Sequence, residues 1–295
     1  MEGAISSPPN TRNRIAVVTG GNKGIGLEVC RQLAGDGVTV VLTARDEKRG
    51  AGHRQAQRSR ALRCHFPSAG DYRHYEHRSV NNAAIVGVEY FRDPTDPSIS
   101  SGEKFSGMDA PQRLEWMLSS CREPYDAAKE GVQTNYYGTK HVIEALLPLL
   151  QASTDGRIVN VSSDYGLLRL FGNEKLKQEL NNVESLTEER LDEVLDMFLK
   201  DFKTGEAEAR GWPTRFGAYK VAKAAMNAYS RVLARRYPEL RVNCAHPGYV
   251  RTDMTVNSGV LTPEEGAANV ATVALLPAGG PTGAYFALDK EASFV

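Results

Sequence analysis

Short runs of apolar residues alternate with segments of helical periodicity along much of the chain. The first run, residues 15–19, is continuous and rich in β-branched residues, which is typical of a strand buried on both faces of a parallel sheet. A glycine-rich turn at residues 20–26 follows it, then apolar residues at helical spacing up to Leu33, then a second apolar run at residues 38–43. This succession predicts a βαβ unit.

The same alternation returns in the C-terminal half. Residues 126–150 and 216–236 have helical patterns, and residues 157–162, 240–245 and 283–287 have strand patterns. Strands that alternate with helices predict an α/β fold, a Rossmann-like doubly wound parallel sheet with helices on both faces. Because the chain has no internal repeat and no low-complexity linker, we expect residues 1–295 to form a single domain.

Residues 164–216 interrupt this alternation as a helical insertion before the last long helix. The insertion contains one amphipathic helix, whose apolar stripe needs a surface to cover. We expect it either to form a lid over a substrate or to cover the core. The stripe consists of Leu191, Val194, Leu195, Phe198, Leu199 and Phe202.

Residues 49–80 interrupt the alternation differently. They contain seven arginines and four histidines against two acidic residues, without helical or strand periodicity. This composition predicts irregular, solvated chain. A nucleic-acid-binding arm is the weaker alternative.

Composition narrows the classes of partner. Lysine plus arginine equals aspartate plus glutamate at 36 each, so the net charge provides no basic surface for nucleic acid or an anionic membrane. The N-terminal residues lack the apolar core of a signal peptide, and no run is long enough to span a bilayer. Cys30 and Cys244 lie within predicted elements, which indicates buried thiols. We therefore expect a cytoplasmic protein with no nucleic-acid, membrane or metal partner.

The glycine turn has the composition of a phosphate-binding loop. It follows a buried strand and opens a helix, whose free N–H groups and positive dipole end attract a pyrophosphate. Gly20 permits the tight turn, and Gly24 and Gly26 allow the backbone to approach the ligand. The remaining candidate cofactor-binding residues in the turn are Asn22, Lys23 and Ile25.

The motif T-G-x-x-x-G-x-G, from Thr19 to Gly26, resembles that of the short-chain dehydrogenase/reductase family. Two further turns are similar to family motifs. Residues 81–84 (Asn-Asn-Ala-Ala) resemble N-N-A-G with Ala84 in place of glycine, and residues 246–252 resemble P-G-x-x-x-T. The resemblance assigns six further residues to the cofactor: Asn82, Ala83, Pro247, Gly248, Val250 and Thr252.

The end of the second strand indicates which nicotinamide cofactor binds. An acidic residue there would bind the ribose hydroxyls of NAD, but this strand runs into Thr43, Ala44 and Arg45. Arg45 and Lys23 instead provide positive charge for a 2′-phosphate. The sequence therefore favours NADPH.

A tyrosine and a lysine four residues apart on a helix can act together as a proton donor and a nearby cation. Three pairs match: Tyr125/Lys129, Tyr136/Lys140 and Tyr219/Lys223. Only the last lies on the helix that follows the strand ending in serine. We interpret the first two as helix-surface pairs and Tyr219/Lys223 as the catalytic pair.

The resemblance supplies two further catalytic residues. It implies that Ser163, rather than Ser162, polarises the carbonyl, and that Asn135 holds a water that relays protons to Lys223. Asn135 satisfying local backbone groups is the alternative. The implied reaction passes hydride from NADPH to a carbonyl carbon, Tyr219 supplies the proton, and Lys223 lowers the pKa of Tyr219 and binds the nicotinamide ribose.

The 55 residues between Ser163 and Tyr219 resemble the long insertion of the carbonyl-reductase-like branch, which includes plant salutaridine and menthone reductases. That resemblance implies a monomer acting reversibly on a bulky apolar ketone or aldehyde, such as a terpenoid or alkaloid. Tyr165, Phe171, Trp212 and Phe216 are expected to line the pocket or to belong to the core. Because residues 49–80 depart from the family pattern, a catalytically impaired NADP(H)-binding paralogue is the alternative.

Overall fold

The structure, a computed structural model, describes residues 13–44, 75–91 and 97–295. Its strands are β1 (Asn13–Thr19), β2 (Thr39–Thr43), β3 (Tyr75–Asn81), β4 (Glu89–Tyr90), β5 (Cys121–Arg122), β6 (Arg157–Val161), β7 (Arg241–His246), β8 (Tyr285–Ala287) and β9 (Lys290–Ala292). Its α-helices are α1 (Gly24–Gly35), α2 (Pro97–Ser100), α3 (Ala110–Ser119), α4 (Tyr125–Val132), α5 (Gly138–Gln151), α6 (Glu174–Asn181), α7 (Glu188–Thr204), α8 (Gly217–Arg236) and α9 (Pro263–Ala274). A π-helical segment, Gln133–Tyr137, joins α4 to α5.

Seven strands form the central sheet in the order β2-β1-β3-β6-β7-β8-β9. Neighbouring strands are parallel except for the last pair, in which β9 runs antiparallel to β8. The predicted Rossmann-like parallel sheet is therefore confirmed. The chain leaves β1 toward β2 on one side and continues at β3 on the other. A crevice consequently opens at the carboxyl ends of β1 and β3, where sheets of this kind bind ligands.

Each face of the sheet has its own core. On one face, α1 packs beside α9, and Val18, Leu33 and Val270 are fully buried. On the other face, α4, α5 and α8 enclose Ile143 and Ile158. The continuous apolar runs of the sequence match this arrangement because a strand covered on both faces exposes no side chain to water.

The prediction of irregular chain over residues 49–80 was wrong at its C-terminal end. Residues from Tyr75 onward form β3, which lies between β1 and β6 in the interior of the sheet. The strand carries buried charges that a hydrophobic pattern does not anticipate. Arg78 pairs with Glu76 at 2.9 Å, and Arg78 Nε donates to the Ala274 carbonyl at the end of α9. These partners compensate the cost of burial. Residues 45–74, including Arg45 and most of the arginine-rich segment, lie outside the described residues.

The amphipathic helix of the insertion is α7, and it covers the core. Leu191, Val194 and Phe198 are fully buried, and the helix contacts α4 and α8. Lys140 of α5 bonds Asp192 of α7 at 2.9 Å and lies 6.0 Å from the centre of the Tyr136 ring. Tyr136 is buried, so the interpretation of Tyr136/Lys140 as a helix-surface pair was wrong for the tyrosine. The apolar stripe of α7 was expected either to form a lid over a substrate or to cover the core, and the structure supports the second alternative.

Two further findings concern the buried thiols and the lengths of the helices. Cys30 and Cys244 are fully buried, as predicted, and burial raises the pKa of each thiol to about 12. Across the described ranges, every helix is too short or too polar to traverse a lipid bilayer.

Candidate active site

Tyr219 and Lys223 lie on the first turns of α8, beside the carboxyl end of β6. The Lys223 side chain is 3% exposed, and its Nζ donates to the carbonyl oxygen of Val161, the last residue of β6, at 2.7 Å. The same Nζ lies 5.7 Å from the centre of the Tyr219 ring. The helical spacing thus brings the phenol and the ammonium together at the edge where the sheet is expected to bind its ligand.

The two serines that follow β6 differ in their surroundings. Ser162 is buried, and its hydroxyl donates to Asn227 Oδ1 of α8 at 2.6 Å. Ser163 is only partly buried, accepts a hydrogen bond from the Tyr165 amide at 3.1 Å, and bonds Tyr219. Ser162 therefore anchors β6 to α8, whereas Ser163 remains beside the phenol. This arrangement supports the choice of Ser163.

Burial dominates the acid–base properties of the pair. It raises the pKa of Tyr219 to about 12, and the hydrogen bond with Ser163 opposes the increase. It lowers the pKa of Lys223 to about 8. Burial of the phenol outweighs the hydrogen bond with Ser163, so the net shift of the Tyr219 pKa is upward. The separate lowering of this pKa by Lys223 stays a prediction.

Asn135 lies in the π-helical segment and is fully buried. Its Oδ1 accepts from the Ile85 amide at 2.9 Å, and its Nδ2 donates to the Ile85 carbonyl at 2.8 Å. The side chain thus holds the segment after β3 against the π-helical turn, which matches the alternative of local backbone satisfaction. The water relay to Lys223 stays a prediction.

The glycine turn is held against the end of β3 by a set of short contacts. Thr19 Oγ1 accepts from the amides of Asn82 and Ala83, both at 3.0 Å, and Asn82 Nδ2 donates to the Thr19 carbonyl at 3.1 Å. Gly20 has a φ of +65°, and a side chain there would meet Ala83 Cα at 3.1 Å. A side chain on Gly26 would overlap the Gly20 carbonyl and Asn82. The Asn82 amide therefore builds the turn, a role that its sequence motif does not reveal.

The loop after β7 closes the other side of the crevice. A side chain on Gly24 would lie 3.3 Å from Thr252 Cγ2, so the two motifs converge. Lys23 Nζ pairs with Asp253 Oδ2 at 2.5 Å, and both side chains are exposed. Asn22 and Ile25 lie partly buried within the turn.

Three residues of the same loop, Pro247, Gly248 and Val250, make contacts that stabilise the loop itself. Gly248 has a φ of +95°, which favours glycine, and Asn269 of α9 donates to the Pro247 carbonyl at 3.0 Å. The Val250 side chain is 2% exposed and packs against Gly266. The assignment of Val250 as a cofactor contact stays a prediction.

An apolar wall that the sequence did not predict adjoins Tyr219. It is formed by residues within 86–90 and 99–121 together with Phe216, Val256 and Tyr165. The ring of Tyr165 lies 6.3 Å from that of Phe216 and 6.4 Å from that of Tyr219. The wall consists largely of Val86, Val88, Tyr90, Leu114, Trp116, Met117, Leu118 and Cys121. The strand pair β4–β5 and helix α3 carry most of these residues. These elements are short, so the sequence shows no clear hydrophobic periodicity over them.

The four aromatic residues proposed to line the pocket divide into two pairs. Tyr165 and Phe216 belong to the apolar wall, whereas Phe171 and Trp212 belong to the core beneath α7. Trp212 Nε1 donates to Asp201 Oδ2 at 2.8 Å inside that core. Of the two alternatives left open for these residues, the structure supports membership of the core for Phe171 and Trp212.

The residues present fit a nicotinamide dinucleotide. Gly20, Gly24 and Gly26 form a cradle that side chains would fill, and the first turn of α1 carries no acidic residue that would repel a pyrophosphate. The parallel strands β1, β3 and β6 are neighbours, so the cradle after β1 and Ser163 after β6 lie at the same edge of the sheet. Within the described ranges, His, Cys, Asp and Glu side chains form no group of three or more suited to a metal ion.

Comparison with known proteins identifies similar sequences along nearly the whole chain. The family model described as short chain dehydrogenase matches residues 14–90, and the model described as enoyl-(acyl carrier protein) reductase matches residues 205–280. Short-chain dehydrogenase/reductase 1 of Saponaria officinalis is 43% identical, over 96% of this chain and 97% of its own. (+)-Neomenthol dehydrogenase of Capsicum annuum is 42% identical, over 96% and 98%.

A solved structure is also similar to this chain over nearly its whole length. Salutaridine reductase from Papaver somniferum aligns with a TM-score of 0.79 and 38% identity, covering 93% of this chain and 99% of that one. The similarity therefore includes the glycine turn, helix α8 and the insertion between them.

Proposed function

The chain belongs to the short-chain dehydrogenase/reductase family of oxidoreductases, which use nicotinamide cofactors, and we propose that it is an NADPH-dependent reductase of a bulky apolar ketone or aldehyde. The observation that carries this proposal is the placement of Ser163, Tyr219 and Lys223 at the same edge of the sheet as the glycine cradle. The alternative of an impaired paralogue is not supported, because the relatives named as reductases and dehydrogenases match nearly the full chain.

The proposed residues divide the reaction between them. Bound NADPH would supply the hydride that reduces the carbonyl carbon. The Ser163 hydroxyl donates a hydrogen bond to the carbonyl oxygen, and Tyr219, which is protonated at neutral pH with a pKa near 12, delivers a proton to the same oxygen. The Lys223 ammonium stabilises the phenolate that remains. The products are an alcohol and NADP⁺, and the reaction is reversible.

The substrate class follows from the apolar wall. Tyr90, Trp116, Phe216 and Tyr165 give the pocket beside Tyr219 a large apolar and aromatic surface. Such a surface suits a terpenoid, alkaloid or aromatic ketone. The names of the Papaver and Capsicum relatives are consistent with this class. We further propose a cytoplasmic monomer that binds neither nucleic acid nor membrane, in which α7 occupies the outer surface of α4 and α8.

A panel of ketones tests the function directly. Purified protein is expected to oxidise NADPH, followed at 340 nm, only when a bulky cyclic or aromatic ketone is added, with formation of the matching alcohol. If no ketone or aldehyde of a broad panel, spanning small aliphatic to polycyclic compounds, supports turnover while NADPH binds, the proposed function is wrong.

Lys23 is expected to contribute to the choice of NADPH over NADH. Because its ammonium lies at the glycine turn, Lys23→Ala should weaken NADPH binding about tenfold and leave NADH binding within twofold. Isothermal titration of both cofactors measures the two constants. Asp253→Asn is the matched control, since it removes the partner carboxylate of Lys23 and should preserve or strengthen NADPH binding. Equal losses for NADPH and NADH in Lys23→Ala would contradict the assignment.

The rate of reduction is expected to fall at alkaline pH. Lys223 has a pKa of about 8, lowered from its ordinary value, so its charged form predominates below that pH and disappears above it. Tyr219 stays protonated throughout, because its pKa is about 12. The kcat for reduction should therefore decline by about tenfold per pH unit above 8, if the ammonium stabilises the phenolate. A stopped-flow pH profile measures the decline, and a constant kcat up to pH 10 would refute this role of Lys223.

A further inference from the structure

The N-terminus of the catalytic helix α8 has no cap of its own. The residue before the helix is Phe216, which has a φ of +60° and offers no side-chain acceptor to the first turn. The first amide N–H groups of a helix lack partners within the helix and need acceptors from elsewhere. Tyr219 lies in this same first turn, so whatever satisfies these amides also influences where the phenol lies.

Glu123 provides the missing acceptors from a distant part of the chain. Its Oε2 accepts from the Gly217 amide at 2.9 Å, and its Oε1 accepts from the Ala218 amide at 2.8 Å. Gly217 lies 94 residues further along the chain. A carboxylate at this point also interacts favourably with the positive end of the helix dipole.

Glu123 stands where the apolar wall meets the catalytic helix. It follows β5, whose residue Cys121 belongs to the wall, and precedes α4, which packs against α8. We propose that Glu123 is a positioning residue that fixes the first turn of α8, and with it Tyr219, against the wall that receives the substrate. The inference rests on the proposed reductase function and assigns Glu123 no contact with the reacting atoms.

The bidentate geometry explains why a carboxylate is required. The amides of Gly217 and Ala218 each donate to a different oxygen of the Glu123 carboxylate. A glutamine side chain has a single oxygen and cannot accept from both amides in this way. In Glu123→Gln, one of the two helix amides would face the NH₂ group of the glutamine side chain, which cannot accept a hydrogen bond. The first turn would then be held at one amide only, and a displacement of about 1 Å at a catalytic group is enough to reduce rates by about 10²-fold.

The test compares Glu123→Gln and Glu123→Ala with a matched control, Glu115→Gln. Glu115 lies on α3 outside the wall and pairs with Arg215, just before α8, at 2.9 Å, and both side chains of this pair are exposed. With a reducible ketone, Glu123→Gln should lower kcat at least tenfold and Glu123→Ala further, while KM and the Kd for NADPH stay within threefold. Glu115→Gln should retain kcat within twofold.

Hydrogen exchange supplies a readout that does not depend on turnover. Mass spectrometry of peptides covering residues 216–220 should show at least tenfold faster exchange in Glu123→Gln than in the wild type or Glu115→Gln. Faster exchange with an unchanged kcat would overturn the positioning role, and so would unchanged exchange. If Glu123→Ala does not fold, Glu123→Gln decides the outcome. A wild type without reductase activity overturns the proposed function instead, and exchange still tests the cap.

Discussion

Replacement of Tyr219 by phenylalanine is expected to lower kcat/KM for ketone reduction about 10³-fold, within the range attributed to a positioned general acid. The substitution removes only the hydroxyl, which bonds Ser163, and keeps the ring that packs edge-on to Tyr165. The fold and the glycine cradle are unaffected, so the Kd for NADPH should change less than threefold. Steady-state kinetics together with cofactor titration measure the two effects separately.

Tyr125→Phe is the appropriate control, because Tyr125 begins another tyrosine–lysine pair of the same spacing. Its ring lies 5.2 Å from Lys203 Nζ of α7 and packs against the core that α7 covers. This variant should retain kcat/KM within twofold. A Tyr219→Phe enzyme with more than one-tenth of the wild-type activity would refute the assignment of the proton donor.

Gly26→Ala is expected to weaken NADPH binding at least 100-fold and to lower the free energy of unfolding by about 1–3 kcal/mol, as overpacking does. An added methyl group would overlap the Gly20 carbonyl oxygen and the Asn82 amide, with the Gly20 carbonyl carbon at 2.9 Å. Backbone atoms cannot rotate away as a flexible side chain can. The start of α1 must therefore move away from the turn, which misaligns the amides that face the pyrophosphate.

Gly35→Ala provides the control on the same helix. A methyl group on Gly35 would meet nothing within 4 Å, and the residue lies at the end of α1. Replacing glycine by alanine there should keep NADPH affinity within twofold and leave stability unchanged or raise it by about 0.5 kcal/mol. Chemical denaturation and fluorescence titration of both variants measure these effects. Comparable NADPH affinities in Gly26→Ala and wild type would show that the turn does not bind the cofactor.

The sequence predicted the central parts of the fold because their signals are local. The run at residues 15–19, the glycine turn and the helix after it follow one another directly, and they became β1, the turn and α1. The choice among the three tyrosine–lysine pairs also depended only on the order of elements along the chain, since Tyr219 lies on the helix that follows the strand ending beside Ser163. The structure brings these residues together.

Other features were mistaken or missed because they depend on distant partners. Strand β3 carries Glu76 and Arg78, which are buried and pair with each other, and Arg78 also bonds the end of α9. The sequence left Trp212 open between the pocket and the core, and its bond to Asp201 within the core decides between them. Glu123 attracts no attention in the sequence, since nothing in its neighbourhood indicates an acceptor for amides 94 residues away.

By itself, the sequence determined the alternation of strands and helices, the glycine turn and the tyrosine–lysine spacing, because each depends on residues within a few turns of one another. The tertiary structure alone decided which side chains face the crevice, that Asn82 and Thr19 hold the turn to β3, that α7 covers the core, and that Glu123 caps α8. These contacts join segments that are far apart in sequence. They stabilise the protein only once the chain has folded, and they produce no periodic pattern in the sequence.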